Sequence, residues 1–353
     1  MERRKFLRNM GIGSMALPLS AFGNPISTNF IHISKDIIVP EALQQGDTIG
    51  IISPAGAIYE SEPYEIAIES MEALGLKVKL GEFVRTRYGH LAGTDQQRAQ
   101  EFNDMWRDPE VDAIICLRGG SGAARILPLL DYETIKKNPK IFIGYSDITA
   151  LHLAIYKKTG LVTFHGPLAT STWNIFAVEH FKDLLFEAEA VQYSNPVDKG
   201  GLLTQTKNRI RTIAPGTATG ELLGGNLSVL TGLMGTPYFP TDWRGKILYL
   251  EDVGERIYAV DRMMSQLQLG GVFDQISGFI FGKCSDCEPG GAGGYGSLTI
   301  EEVLDHYLET KNIPAFSGTM IGHISDNFTI PNGIRAAMDA NEGTFRLLNP
   351  AVE

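Results

Sequence analysis

From Asp47 onward the chain alternates short apolar runs with stretches of helical spacing, and that alternation leaves few folds open to it. TIGIISPAG is an apolar run closed by Pro and Gly, the mark of a buried strand and a turn. Glu62 to Leu74 carries Ile66, Ile68, Met71 and Leu74 on helical spacing, and KVKLGEF follows as a strand. A polar helix is expected from Thr94 to Trp106, with Thr94 as its N-cap and Gln97 three residues on. VDAIICLRG then predicts a strand, SGAARILPLLDY a helix, KIFIGY a strand, Asp147 to Lys158 a helix closed by Gly160, and VTFHGP a further strand. Strands that alternate with helices need right-handed crossovers and give a mostly parallel sheet covered on both faces. Residues 45–190 are therefore expected to form a Rossmann-like α/β domain whose active site lies at the carboxyl ends of its strands.

The second half reads differently. Residues 191–216 are polar and weakly periodic, and predict a linker. GELLGGNLSVLTGLMGTP suggests a turn and a short helix, KILYLEDVG a strong strand, Arg256 to Leu269 a helix, QISGFIFG a strand, and SLTIEEVLDHYLET a helix. The C-terminal stretch alternates and turns at Asn341-Glu342-Gly343, a hairpin signal. Residues 217–353 are thus expected to form a smaller, more β-rich domain, and a chain of 353 residues accommodates two such units. PGGAGGYG, Pro289 to Gly296, predicts a surface loop.

The N-terminus is expected to lie outside the fold. Arg3-Arg4-Lys5-Phe6-Leu7 precedes a short apolar stretch of small residues, which reads as an export signal over residues 1–24 and resembles a twin-arginine address. That reading predicts an exported, periplasmic protein, or a cytoplasmic one if the signal does not operate. No segment predicts a stable membrane anchor. The net charge of −10, with no basic stripe, argues against a nucleic-acid surface. Of the three cysteines, Cys116 lies in the apolar run AIICL and is expected to be an inert core thiol. Cys284-Ser-Asp-Cys287 is too few ligands for zinc, and becomes a candidate local disulfide if the protein is exported.

Two turns at the expected carboxyl edge carry chemistry. KIFIGY runs into Ser146 and a helix begins at once. A serine there is exposed beside the unpaired N–H groups of a helix start, where an oxyanion can be held. The pattern GYSDI lacks the second Gly of a nucleophile elbow, and Ser146 as a plain helix N-cap is the competing reading. The strand before it ends in Arg118-Gly119-Gly120-Ser121-Gly122, a turn able to bring a backbone N–H close to a reacting atom. As a dinucleotide fingerprint that turn lacks its third Gly and a following acidic residue. A nucleophilic serine needs a base and a carboxylate to orient it. Among the seven histidines, His90, His152, His165 and His323 are the candidates, and Glu251 and Asp252 end a strand with side chains expected on opposite faces.

RGGSGAARILPLLDY, NPKIFIGYSDITALHLA, GGNLSVLTGLMGTP, ILYLEDVGERIYAVDRMMSQL and IGHISDNFTIPNG, in that order, resemble the LD-carboxypeptidases, a family that includes muramoyl-tetrapeptide carboxypeptidases and microcin C self-immunity peptidases. The resemblance spans nearly the whole chain after the leader. It implies a Ser-Glu-His triad with Ser146 as nucleophile, Glu251 as acid and His323 as base, set across two domains, with the N–H groups of Asp147 and Gly120 as the oxyanion hole. It also implies a cell-wall peptide substrate cut between a dibasic L-residue and a terminal D-alanine, a possible homodimer, and no metal or cofactor. Arg118 is the candidate for the substrate's carboxylate. Two alternatives remain: an amidase of the same fold acting on a peptide-nucleotide antibiotic or another amide, with Trp173 and the Pro289–Gly296 loop as the places to look for specificity, and a periplasmic small-molecule binding protein.

Overall fold

The computed structural model describes residues 37–288 and 296–353; residues 1–24, read above as an export signal, and residues 289–295 of the Gly-rich loop lie outside them. The first half forms β1 (Thr48–Ile52), α1 (Glu62–Ala73), β2 (Lys77–Leu80), α2 (Asp95–Arg107), β3 (Ala113–Cys116), α3 (Ala123–Ile126), α4 (Tyr132–Lys137), β4 (Ile141–Gly144), α5 (Thr149–Thr159), β5 (Thr163–His165) and α6 (Ile175–Leu185). Its five strands run parallel in the order β5-β4-β3-β1-β2. Alternate residues of one strand serve opposite faces, as the pleat demands. In β4, Phe142 packs in the cluster holding Phe102 and Trp106 of α2, whereas Ile141 and Ile143 belong with Tyr64 and Met71 of α1 and Phe181 of α6. Cys116 is a buried free thiol in the first of these clusters.

Local signals mostly translate directly. Thr94 and Gln97 form a reciprocal capping box at the start of α2. Gly160 closes α5 in the left-handed region, at φ 84°. The segment SGAARILPLLDY, expected as one helix, instead breaks into α3, a 3-10 turn at Leu127–Leu129, and α4 recapped by Asp131. Pro128 has no N–H to give an α-helical ladder, so the helix stops there.

The second half supplies β6 (Gln192–Tyr193), β7 (Arg211–Ala214), β8 (Thr217–Asn226), α7 (Leu227–Gly232), β9 (Lys246–Val253), α8 (Ile257–Leu269), β10 (Gly278–Ser285), α9 (Ile300–Leu308), β11 (Ala315–Ser317), β12 (Ile330–Asn332), β13 (Arg335–Asp339) and β14 (Thr344–Leu347). Eight of these strands form a second sheet in the order β6-β14-β13-β8-β9-β10-β11-β7. Its centre, β8 to β11, is parallel, with helices in the connections, and β13–β14 is the expected hairpin. The segment 191–216, read as a linker, contributes both edge strands, β6 and β7. Edge strands need only one paired side and tolerate polar sequence, which is why they escape a hydrophobicity reading. One strand crosses over: β12 pairs antiparallel with β5 in the first sheet. Its Asn332 Oδ1 accepts from Gly224 N at 3.1 Å and from Tyr249 Oη at 3.0 Å, so a buried amide stitches the two sheets together.

Candidate active site

Ser146 stands where β4 gives way to α5, on a 3-10 turn spanning Ser146–Ile148. Its φ is +66°, a conformation that costs a non-glycine residue about 1–3 kcal/mol and persists only when its surroundings enforce it. Ser146 Oγ makes no hydrogen bond to another described residue, and neither the turn nor α5 has a side-chain cap. The helix-cap reading of Ser146 therefore does not hold. The Gly-rich turn comes right up to it: a Cβ on Gly119 would lie 2.8 Å from Ser146 Cβ and 3.1 Å from its Oγ. No other residue fits there. The buried Asp147 carboxylate accepts from Ala123 N at 2.7 Å, joining the Ser146 turn to the end of the Gly119–Gly122 turn, and burial raises its pKa. Gly120, at φ +119°, is exposed at the same edge.

Glu251 and Asp252 sit near the end of β9, both buried. Strand alternation predicts opposite faces, yet both reach one amide: Asn226 Nδ2 donates to Glu251 Oε1 at 3.2 Å and to Asp252 Oδ1 at 3.0 Å. Asn226 can do this because it is the register partner of Glu251 on β8. Asp252 Oδ2 also accepts from Ser228 N in the first turn of α7 at 2.9 Å. Burial, then the charge of Glu251, push the Asp252 carboxyl up to about 6. The other oxygen of Glu251, Oε2, lies 2.8 Å from His323 Nδ1. An imidazole whose Nδ1 is tied to a buried carboxylate presents Nε2 outward. The His323 ring is edge-on to Tyr145, with centroids 4.8 Å apart, and Tyr145 is the residue before Ser146.

The three segments are joined physically. Thr149 Oγ1, at the start of α5, accepts from Asn226 N at 2.9 Å, so the turn carrying Ser146 is linked through Asn226 to Glu251 and on to His323. Asn226 was not a candidate in the sequence; its only signal was a polar residue at a strand end that also caps α7. Gly322 was missed as well. A Cβ there would lie 3.0 Å from Glu251 Oε2, so glycine lets the loop approach this carboxylate.

The other candidates separate. His90 is exposed, and His152 and His165 are wholly buried, with burial lowering both pKa values. Arg118 is half-buried; its Nη1 donates to Ala57 O at 3.0 Å, and it has no carboxylate partner among the described residues. Trp173 commits its indole N–H to Ala169 O. Cys284 and Cys287 are joined as a disulfide, and no group of three or more metal-ligating side chains occurs among the described residues.

A mostly parallel sheet that strains a serine at a strand-to-helix turn, stitched to a second sheet whose Glu251 meets His323 of the β11–β12 loop, places the chain in the class of two-domain α/β hydrolases of the serine type. The LD-carboxypeptidase N-terminal domain family matches residues 49–166, and the LD-carboxypeptidase C-terminal domain family matches residues 219–338. The chain belongs to the LD-carboxypeptidase family and is a peptidase of the serine type. It is 40% identical over 310 residues to a probable murein peptide carboxypeptidase of Bacillus subtilis (strain 168), covering 86% of this chain and 92% of the relative. It is 30% identical over 303 residues to the murein tetrapeptide carboxypeptidase of Pseudomonas aeruginosa (83% and 93%). A solved structure of MccF in complex with glutamyl sulfamoyl guanosine superposes with a TM-score of 0.80 at 30% identity, over 89% of this chain and 99% of the other. Family membership sets aside the binding-protein reading.

Proposed function

We propose that this carboxypeptidase hydrolyses the bond between a dibasic L-residue and a C-terminal D-alanine in cell-wall tetrapeptides, through Ser146, Glu251 and His323. The observation that carries the triad is the buried Glu251 on His323 Nδ1 at 2.8 Å, set beside the strained turn of Ser146. His323 Nε2 takes the proton from Ser146 Oγ as the oxygen attacks the scissile carbonyl. Glu251 holds the imidazole in the tautomer that can accept this proton and stabilises the imidazolium that forms. The N–H groups of Asp147 and Gly120 face the developing oxyanion. His323 returns the proton to the leaving D-alanine amine, and water, deprotonated by the same imidazole, releases the acyl group. Ser146 Oγ and His323 share no hydrogen bond in the structure, and the mechanism has that bond form when substrate is in place, as catalytic hydrogen bonds often do. Arg118, with most of its guanidinium uncommitted, receives the terminal carboxylate; its fork suits that group. The names of the two murein peptidases support the substrate class.

A second reading, an amidase on a peptide-nucleotide, draws on the likeness to MccF bound to glutamyl sulfamoyl guanosine. Incubation with a tetrapeptide ending in D-alanine, followed by mass spectrometry for free D-alanine, separates the two. Release supports the first reading; silence on the tetrapeptide with cleavage of an aminoacyl sulfamoyl nucleoside supports the second. Ser146→Ala should lower kcat by roughly 10⁴–10⁶-fold in either case, and near-normal turnover would remove Ser146 from the chemistry. Export through residues 1–24 to the periplasm, and association as a homodimer, belong to the same proposal. Fractionation with Arg3 and Arg4 replaced by Lys tests the first, and sedimentation tests the second.

A further inference from the structure

A third segment meets Glu251 and His323, and the chemistry above makes no use of it. This is the end of β10, where Cys284 and Cys287 are bridged across Ser285 and Asp286. Cys284 and Ser285 lie in register with Asp252 and Val253 of β9, directly after the acid. Ser285 O accepts from Gly254 N at 2.8 Å, and Ser285 Oγ donates to His323 O at 3.1 Å. That is the one hydrogen bond accepted by His323 O among the described residues. Two residues before Ser285, Lys283 N donates to Ile321 O at 2.8 Å. The bridged loop thus holds the acid-bearing strand with one side of Ser285 and the base-bearing loop with the other.

Strand pairing alone does not hold this loop in shape. The β9–β10 register slips between Phe281 and Cys284, and Asp286 has φ +55°. We propose that Ser285 is a positioning residue for His323, kept in place by the Cys284–Cys287 disulfide, so that the competence of the site follows the redox state of that bridge. The proposal rests on His323 acting as the base. His323 is fixed at its ring by Glu251 and at its backbone by Ser285. Releasing the backbone leaves the ring bond to hold the loop unaided.

The bridge is within reach of a reductant. Both cysteines are half-buried, and Cys284 borders a cavity of about 480 Å³ lined also by Arg211, Lys283 and Ser317. A dithiol opens it by thiolate attack: two electrons and two protons convert the S–S bond to two thiols, and the dithiol closes to its own disulfide. A small-molecule disulfide reverses the exchange. Full activity then belongs to an oxidising compartment and reduced activity to a reducing one.

The test uses the whole chain in four forms: wild type, Ser285→Ala, Ser285→Thr and the double variant Cys284→Ser/Cys287→Ser. Three readouts are taken with and without dithiothreitol: kcat and KM for D-alanine release, the rate at which a fluorophosphonate modifies Ser146, and hydrogen exchange over residues 320–326. Ser285→Ala should lower kcat and the labelling rate about 3- to 10-fold, the worth of one hydroxyl–carbonyl hydrogen bond, with KM unchanged. Ser285→Thr, which keeps the hydroxyl, should restore both. Dithiothreitol should bring the wild type to the level of the double variant and leave that variant unaffected, with faster exchange over 320–326 in each slowed form. Wild-type rates and exchange in Ser285→Ala or in the double variant overturn the proposal, as does equal slowing of the double variant by dithiothreitol. If the tetrapeptide is not cut but Ser146 is labelled, the substrate reading fails and labelling still decides the clamp. If Ser146 is not labelled at all, the triad reading fails and exchange over 320–326 decides the clamp by itself.

Discussion

Replacing Gly322 by Ala adds one methyl group beside the Glu251 carboxylate. Its Cβ would lie 3.0 Å from Glu251 Oε2, 3.2 Å from Glu251 Cβ and 3.3 Å from Lys283 O. Carbon contacts become favourable only from about 3.5 Å, so the methyl has to open its surroundings by several tenths of an ångström. Glu251 cannot yield: it is fully buried and bonded at both oxygens, to Asn226 and to His323. Lys283 O is strand backbone. The backbone of Gly322, at φ +132°, adds about 1–3 kcal/mol for any residue with a side chain. The softer partner is the loop bearing His323, held by Asn327 Oδ1 on Gly322 N and by Ser285 on His323 O. The displacement therefore falls on the bond between His323 and Glu251. A hydrogen bond to a charged group is worth about 1.5–3 kcal/mol, which, lost from the transition state at 1.36 kcal/mol per decade, lowers kcat roughly 10- to 150-fold. KM should stay within about twofold, because the bond disturbed joins His323 to Glu251 and is not one made to the substrate in the proposed mechanism. The assay is D-alanine release under saturating tetrapeptide, with urea unfolding alongside to read a stability loss of about 1–3 kcal/mol. A folded Gly322→Ala protein with kcat within about twofold of wild type would refute the reasoning, since the Glu251–His323 bond would then survive the methyl or carry no rate.

Two further outcomes follow from the buried carboxyls. Glu101 on α2 accepts from Ser53 N and Phe83 N, and burial, the largest effect on it, raises its pKa from 4.5 to about 7. A raised folded-state value means the neutral form is favoured in the fold, so this contribution is complete below pH 4.5 and is lost as pH climbs through 7. It is of the order of 3 kcal/mol, and Asp252, raised from 3.8 to about 6, adds to it in the same direction. The urea midpoint of Glu101→Gln should therefore fall less than that of wild type between pH 4.5 and 7, and parallel profiles would count against the assignment. Asn226→Ala removes the amide shared by Glu251 and Asp252 together with the cap of α7, and should destabilise the protein by about 3 kcal/mol while lowering kcat. A variant unchanged in both urea midpoint and kcat would show that this amide supports neither carboxylate.

The fold of the first half was legible because its signals are local. β1 to β5 are short apolar runs between helices of helical spacing, Thr94 and Gln97 announce a capping box three residues apart, and Gly160 marks its own helix end. What failed was also physical. Pro128 divides a helix whose apolar content looked continuous, and β6 and β7 hide in a polar stretch because an edge strand with one pairing partner needs little hydrophobicity. β12 escaped because its pairing with β5 joins residues 330–332 to residues 163–165, a relation that no local pattern carries.

The candidate site divides along the same line. Ser146, Glu251 and His323 were named from turns, a strand end and a family resemblance, whereas the residues that hold them, Asn226, Gly322 and Ser285, have no chemistry of their own to advertise. Their roles exist only in long-range contacts: Asn226 N on Thr149 Oγ1 across 77 residues, Asn226 Nδ2 on Glu251 across 25, and Ser285 Oγ on His323 O across 38. The Thr149 contact has the widest consequence. Thr149 lies three residues after Ser146, and the backbone N–H it accepts belongs to Asn226, whose side chain bonds Glu251. The conformation of the serine and the position of the carboxylate are therefore set against each other by one buried residue.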